Sequence, residues 1–164
     1  MGGNIFEIKE EHIEELDRLS EDDVSCEHPF RGQVGWIENV EDRQEEVRYF
    51  LKNLEESCNG FCSWSLSDEE GSFSFTEGFK KAYFAEKYER FEKAVNELRA
   101  NMSVKCFSDA TLDGVMGRMN EAYQEEYGTY VIGGYQELRT LDNFIRHASV
   151  GVTYYVGGVM WYHY

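Results

Sequence analysis

Apolar residues recur at helical spacing along much of the chain. In residues 41–58 the spacing is i, i+3, i+4 and i+7, which predicts a helix with one buried stripe. The members of that stripe are Val47, Phe50, Leu51 and Leu54. Similar spacing predicts four further helices, over residues 10–20, 78–100, 109–127 and 138–148. Residues 21–35 lack a period and contain the only proline, so we expect a loop there.

Other stretches alternate between apolar and polar residues, as β-strands do. Residues 61–66 and 72–77 alternate on either side of turn residues and predict a hairpin with one apolar face. Residues 150–156 and 159–164 are rich in Val and Tyr, and Gly157-Gly158 between them predicts a second hairpin whose last run is an edge strand. Single strands are predicted over residues 4–8, 102–107 and 129–132.

These elements predict an α+β fold with a mixed β-sheet, two hairpins and about five helices. We expect residues 1–164 to form a single domain, with an acidic helical part at 1–60 and a mixed α/β body at 61–164, because no linker interrupts the pattern. Hydrophobic residues make up 41% of the chain and aromatic residues 15%, which is too apolar for a disordered protein. The sequence shows neither a secretory signal nor a membrane-spanning stretch, so we expect a cytoplasmic protein with reduced cysteines.

Charge is spread unevenly along the chain, whose formal net charge is −16. Residues 1–60 hold 17 acidic and 6 basic side chains, a balance of −11. Residues 61–127 hold 13 and 8, and residues 128–164 hold 2 and 2. A field of this size favours basic proteins or cations as partners, and it argues against direct contact with nucleic acid or an anionic membrane.

The cysteines and histidines offer one possible zinc set, formed by Cys26, His28, Cys58 and Cys62. Neither half of this set has the Cys-x-x-Cys knuckle of the familiar zinc ribbons. Cys62 also lies on the apolar face of its predicted strand, where a free cysteine behaves as a small hydrophobic residue. We therefore predict no metal site.

Catalytic motifs are equally weak. Cys106, His147 and Asp142 could supply a nucleophile, a base and an orienting group, but Cys106 falls on the apolar side of the strand predicted for 102–107 and is expected to be buried. Gly133-Gly134 lacks the glycine pattern of a dinucleotide site and the lysine of a phosphate loop. We therefore expect a protein that is not an enzyme and holds no cofactor.

The acidic surface is the best candidate site. A rigid array of carboxylates can imitate a phosphate backbone and occupy a basic groove, so the expected partner is a basic, nucleic-acid-binding protein. The predicted partner-binding acids are Glu10, Glu11, Glu14, Glu15, Asp17, Glu21, Asp22, Asp23, Glu41, Asp42 and Glu45. Phe30 and Trp36 are expected to anchor the contact. In size and charge the chain is similar to small acidic proteins with which phages and mobile elements block restriction enzymes or CRISPR effectors.

Two alternatives come from other classes of protein. The first is a small enzyme or ligand-binding domain with a pocket in the neutral C-terminal region. The residues that could line it are Tyr130, Tyr135, Tyr154, Tyr155, Trp161 and His163. The second is an accessory subunit whose Tyr-rich sheet forms an oligomer interface at the edge strand of residues 159–164.

Overall fold

The fold is built on a mixed β-sheet flanked by helices. The computed structural model describes residues 2–13, 21–25, 27, 30, 32–68, 70–125, 128–133 and 137–163, and this part of the chain has seven strands and six helices. The strands are β1 (Gly2–Lys9), β2 (Gln33–Trp36), β3 (Cys62–Leu66), β4 (Gly71–Phe75), β5 (Tyr130–Ile132), β6 (Leu138–Thr140) and β7 (Thr153–His163). The helices are α1 (Glu21–Ser25), α2 (Val40–Ser57), α3 (Phe79–Asn101), α4 (Val104–Ser108), α5 (Asp113–Tyr123) and α6 (Leu141–His147). The predicted α+β class is confirmed.

Strand β7 lies at the centre of the sheet. The hydrogen-bonded order is β3-β4-β7-β1-β5-β6, and β2 also pairs with β7. One edge of β7 therefore carries β1, and the other carries β4 beside residues 153–156 and β2 beside residues 160–163. Strands β1 and β5 run parallel, and every other named pair is antiparallel. The prediction that residues 159–164 form an edge strand is wrong, because the strand is paired on both sides.

The second hairpin predicted from Gly157-Gly158 is also wrong, because both glycines lie inside β7. The register passes from Phe6 opposite Val159 to Ile8 opposite Val156, so the two glycines face one residue of β1 and form a β-bulge. A Cβ atom on Gly158 would lie 2.6 Å from Cζ3 of Trp36. Glycine is needed here for a close approach between side chain and backbone, and not for a turn.

One face of the sheet is covered by α2, α3 and α6, and we call it the helical face. Its buried sheet residues include Phe6, Phe73 and Val156. The hairpin predicted over 61–66 and 72–77 is confirmed as β3 and β4, and Trp64 lies opposite Phe73 as the alternation requires. The helix predicted over 41–58 is confirmed as α2, and its predicted stripe is buried against this face.

Local chemistry sets both ends of α2. The Asn39 side chain caps the helix by accepting hydrogen bonds from the backbone N–H groups of Glu41 at 2.9 Å and Asp42 at 3.2 Å. The helix stops before Asn59 and Gly60, whose φ angles of 49° and 82° lie in the left-handed region. A glycine adopts that region without steric cost, so the predicted stop at this pair is confirmed.

The opposite face of the sheet packs against Val24 of α1 and against Phe30, and we call it the loop-covered face. Its buried sheet residues are Ile5, Tyr130, Ile132, Met160 and Tyr162. Phe30 is fully buried there and makes edge contacts with the rings of Tyr130 and Tyr162, at centroid distances of 4.7 and 4.6 Å. The loop predicted for residues 21–35 is partly wrong, because α1 and β2 form within it. Both are too short to show a period in the sequence.

Three predictions for residues 78–127, two of helices and one of a strand, need correction. Helix α3 forms as expected, but its predicted stripe is only partly buried and Tyr88 is 60% exposed. The strand predicted for 102–107 is replaced by α4, which Ser103 caps by accepting a hydrogen bond from the backbone N–H of Cys106. The next helix, α5, is shorter than predicted and ends at Tyr123.

Two further helix predictions are settled only in part. The helix predicted for 138–148 begins at Leu141, because residues 138–140 form β6 and pair with β5. Of the helix predicted for 10–20, residues 10–13 are not helical, and the remainder lies outside the described residues. The strands predicted at 4–8 and 129–132 are confirmed as β1 and β5.

Candidate functional site

Exposed carboxylates from three separate segments form what we call the acidic rim. Its members are Glu10, Glu11, Glu21, Asp22, Asp23, Glu41, Asp42 and Glu45. The first two follow β1, the next three form the first turn of α1, and the last three belong to the first turns of α2. The fold connects these segments through a small set of polar contacts.

Glu21 connects α1 to the start of α2. Its Oε1 atom accepts a hydrogen bond from the backbone N–H of Trp36 at 3.1 Å. Trp36 ends β2, and Asn39, the N-cap of α2, follows three residues later. The backbone that leads into α2 is therefore held against α1, although about twenty residues separate Glu21 from Glu41 in the sequence.

The turn between β3 and β4 connects the segment after β1 to α2. Glu70 accepts hydrogen bonds from the backbone N–H of Ile13 and from the His12 ring, both at 2.9 Å. In the same turn, the backbone carbonyl of Asp68 accepts a hydrogen bond from Nε2 of Gln44 at 2.6 Å. The acidic rim is thus assembled by contacts between segments and not by one helix face.

Most acids of the rim have no cationic partner within the described part of the chain. Among the described residues, no ion pair within 4.0 Å involves Glu10, Glu11, Asp23 or Glu45. The same holds for Glu41. These exposed carboxylates therefore present concentrated negative charge to solvent.

The remaining predicted contact residues are placed differently. Phe30 is fully buried in the core of the loop-covered face, so it does not reach a partner from this fold. Trp36 is half-buried and lies against Gly158. Glu14, Glu15 and Asp17 lie outside the described residues. The rim as observed therefore consists of carboxylates and lacks the predicted phenylalanine anchor.

The structure describes only two of the four residues in the possible zinc set. Cys58 and Cys62 are buried in the core of the helical face, and burial raises the pKa of each thiol to about 12. Cys26 and His28 lie outside the described residues. Among the residues that are described, no three or more His, Cys, Asp or Glu side chains are grouped as metal ligands.

The Cys106, His147 and Asp142 set does not assemble among the contacts of the described residues. Cys106 is half-buried on α4, where hydrogen bonding by Ser103 lowers the pKa of its thiol, so the buried strand cysteine predicted from the sequence is wrong. The ring of His147 is bonded through Nδ1 to the backbone carbonyl of Asn143 at 2.7 Å. Asp142 belongs to another network.

Asp142 is a buried carboxylate that joins α6 to α3. Its Oδ1 atom accepts hydrogen bonds from Nζ of Lys87 at 2.7 Å and from the hydroxyl of Tyr83 at 2.9 Å. Its Oδ2 atom accepts from the same Lys87 ammonium at 2.9 Å. Burial, together with the Asp142 charge, raises the pKa of Tyr83 well above its usual range. With its partners satisfied by one another, this network ties the two helices together and offers no free base or nucleophile.

The aromatic residues of the C-terminal region do not line one pocket. Tyr154 packs on the helical face, where its ring stacks on Phe73 with a centroid distance of 5.4 Å. Tyr130 packs on the loop-covered face against Phe30. The sheet therefore separates them, and Tyr135 lies outside the described residues.

Comparison with known proteins finds no match for this chain among protein-family models, curated proteins or solved structures. Within the described ranges, no helix is both long and apolar enough to cross a membrane. Function is therefore inferred from the chain's own charges, contacts and cavities.

Proposed function

We propose that this protein is a non-enzymatic interaction protein that binds a basic, nucleic-acid-binding protein through the acidic rim. The observation that carries the proposal is that three segments joined by polar contacts each display exposed carboxylates. Five of these carboxylates form no ion pair among the described residues: Glu10, Glu11, Asp23, Glu41 and Glu45. Such a surface occupies a groove of Lys and Arg side chains that otherwise binds phosphates, so the partner would be inhibited.

The size of the net charge supports this proposal over simple solubility. A net charge of magnitude about 2–8 suffices to keep a small domain soluble. The chain carries −16, and the surplus repels itself and costs stability. A basic groove neutralises that surplus and releases the counterions of both partners, as nucleic acid does when it binds. Inhibition of a restriction enzyme or CRISPR effector is the form of this function that we propose.

The anchoring of the rim also supports the proposal. The segment that carries the acids of α1 also carries Val24 and Phe30, both buried in the core of the loop-covered face. The carboxylates of α1 are therefore displayed on a segment that packs into the core before binding. Binding by a fixed array loses less conformational entropy than binding by a disordered acidic tail.

The test compares two variants that lose the same charge. In the rim variant, four carboxylates are neutralised: Glu10→Gln, Glu11→Gln, Asp23→Asn and Glu45→Gln. In the matched control, four exposed acids outside the rim are neutralised: Glu77→Gln, Glu86→Gln, Glu89→Gln and Glu121→Gln. The wild-type chain is immobilised and used to capture proteins from its host at low salt, and the captured protein is purified for titration against all three chains.

We expect capture of a basic nucleic-acid-binding protein whose affinity falls by more than about tenfold between about 50 and about 500 mM NaCl. The rim variant should lose about tenfold or more in affinity while the control keeps it, and double-stranded DNA or RNA should compete with the wild-type chain. Binding that is insensitive to salt, or that is weakened equally by both variants, would contradict the proposal.

A further inference from the structure

Helices α3 and α5 pack against each other beyond the part of α3 that is anchored in the core. Phe79, in the first turn of α3, is buried in the core of the helical face, and Lys87 is bound to Asp142 of α6. Beyond Lys87, Ala94 is the only buried residue of α3. We call residues 88–123, which comprise the rest of α3 together with α4 and α5, the helical arm.

Large apolar side chains are exposed along both helices of this arm. Tyr88 in α3 and Met102 directly after it are more than half exposed, and so are Met116 and Tyr123 of α5. Val95, midway between Tyr88 and Met102, is half-buried. Residues seven apart in a helix lie on the same side, so each helix carries one apolar row.

Two contacts place both rows on one side of the arm. The ring of Tyr123 lies 6.1 Å, between centroids, from the ring of Phe91, which is one turn before Val95 on α3. On the other side, Nη2 of Arg118 lies 2.8 Å from Oε2 of Glu97. Glu97 follows Val95 by two residues, or about 200° around the helix. The arm therefore has a polar side and an apolar side, and an exposed apolar surface of this kind marks a contact site for another protein.

The charge of the arm limits which protein can cover its apolar side. Residues 88–123 hold 6 acidic and 5 basic side chains, a balance of −1, whereas the whole chain carries −16. Two copies of the chain therefore repel each other least where their arms meet. Two arms of two helices each also supply the four helices of a bundle, whose core is built from apolar rows that face one another.

The charged residues beside the apolar row of α3 fit a second copy in an antiparallel register. Glu92 accepts a hydrogen bond from the hydroxyl of Tyr88 at 3.1 Å, so its carboxylate lies beside the row, and Arg99 follows it by seven residues. Neither charge forms an ion pair within 4.0 Å among the described residues. When two α3 helices pack antiparallel about Val95, Glu92 of each copy lies beside Arg99 of the other, and Tyr88 faces Met102. A parallel pairing brings like charges together at both positions.

We propose that the apolar side of the helical arm binds a second copy of this chain, and that the two arms form a four-helix bundle with Val95 of α3 on the two-fold axis. Each copy contributes the same surface, as an isologous interface requires. No acid of the rim belongs to the arm, so this proposal is independent of the rim's partner. The interface also differs from one at residues 159–164, where β7 is already paired on both sides.

Sedimentation equilibrium of the full chain, over about 1 to about 100 μM, measures the equilibrium between monomer and dimer. We expect a dimer that is at least as stable at about 500 mM NaCl as at about 50 mM, because salt screens the repulsion between the two chains. Binding of the rim to a basic partner has the opposite salt dependence, so the failure of one proposal is distinguishable from the failure of the other.

Substitutions of exposed apolar residues test which surface is used. Tyr88→Ser/Met116→Gln removes one side chain from each apolar row and should weaken the dimer about tenfold or more. Phe107→Ser is the matched control, because Phe107 is an exposed apolar residue of α4 that belongs to neither row. It should leave the affinity unchanged.

Charge reversal tests the register. Glu92→Arg and Arg99→Glu should each weaken the dimer about threefold or more at low salt, because each places like charges side by side. The two single variants change the net charge in opposite directions, so a general charge effect would move their affinities apart. The double variant Glu92→Arg/Arg99→Glu should restore the wild-type affinity, since opposite charges meet again.

Three results would overturn the proposal, each measured on variants that keep the circular dichroism of the wild-type chain. The first is a chain that stays monomeric at every concentration. The second is a dimer that Phe107→Ser weakens as much as Tyr88→Ser/Met116→Gln does. The third is a dimer whose affinity the single charge reversals leave unchanged, or that the double reversal fails to restore.

Discussion

The two faces of the sheet are packed by different means. On the helical face, the ring of Phe73 contacts three other rings, those of Phe50, Phe75 and Phe144. The helices cover the cluster to which these residues belong. On the loop-covered face, single side chains from short elements and loops, such as Phe30, fill the space against the sheet. Long helices supply a repeated apolar stripe, whereas the loop-covered face depends on a few isolated residues.

On the loop-covered face, the residues that fill the core share a segment with acidic residues. The residues that close the loop-covered face are interspersed with the acids of the rim, as Val24 is with Glu21 and Asp23. The acidic segment is therefore part of the core's cover and not a solvated tail. The repulsion among the carboxylates of α1 therefore acts on a segment that also contributes to the core of the loop-covered face.

The largest expected effect compares one aromatic residue from each face. Phe30→Ala and Phe73→Ala should each lower the free energy of unfolding by about 3–5 kcal/mol, because each leaves a cavity in a closed core. Urea unfolding at constant slope would measure both. Phe107→Ala is the control, because Phe107 is 81% exposed and its loss should cost no more than about 0.5 kcal/mol. A Phe30→Ala value as small as the control would mean that the loop-covered face is not a core.

The Asp142 network is expected to have the next largest effect and lies on the helical face. Asp142→Ala should cost about 3 kcal/mol, because it leaves the ammonium group of Lys87 with little compensation in a mostly buried position. The double variant Asp142→Ala/Lys87→Met should recover much of that loss, since no unpaired charge remains. Thermal and urea unfolding of the two single variants and the double variant complete the cycle. Strictly additive losses would show that the pair is not coupled.

Gly158, in the bulge of β7, is packed closely against another side chain, and it can be compared with a glycine that has open space around it. Gly158→Ala should destabilise the protein by about 1–3 kcal/mol, because the new methyl group would overlap the Trp36 ring on the loop-covered face. Gly117→Ala is the matched control, since nothing lies within 4 Å of a Cβ there and Gly117 sits inside α5. That control should raise stability by about 0.5–1 kcal/mol. A neutral Gly158→Ala would contradict the packing against Trp36.

The periodic elements of this fold were predictable from the sequence, and the irregular ones were not. Helix α2 and the β3–β4 hairpin have patterns that arise from burial on one face, so pattern and structure agree. The alternation in 102–107 does not arise from burial, because Val104 is 88% exposed and Ser103 caps a helix instead. At Gly157-Gly158 the sequence suits a turn as well as a bulge, and the pairing of β7 with β1 on one side and with β2 and β4 on the other decides between them.

The candidate site was predictable to a similar degree. Charge counts place the acids in the N-terminal third, and those described at the rim are exposed. The contacts that assemble the rim, such as Ile13 with Glu70, join residues far apart in sequence and leave no local signal.

The smallest expected effect is a difference in stability between two pairs of acids within the acidic rim. Glu41 and Asp42 lie in the first turn of α2, where the helix dipole favours negative charge, so Glu41→Gln/Asp42→Asn should lower stability by up to about 1 kcal/mol. Glu10 and Glu11 do not lie in a helix, so Glu10→Gln/Glu11→Gln should raise stability slightly by relieving repulsion within the rim. Urea unfolding at low and high NaCl would measure both pairs, and salt should diminish each difference, because screening acts on exposed charges. If both pairs changed stability in the same direction, the position of Glu41 and Asp42 at the start of a helix would not distinguish them from Glu10 and Glu11.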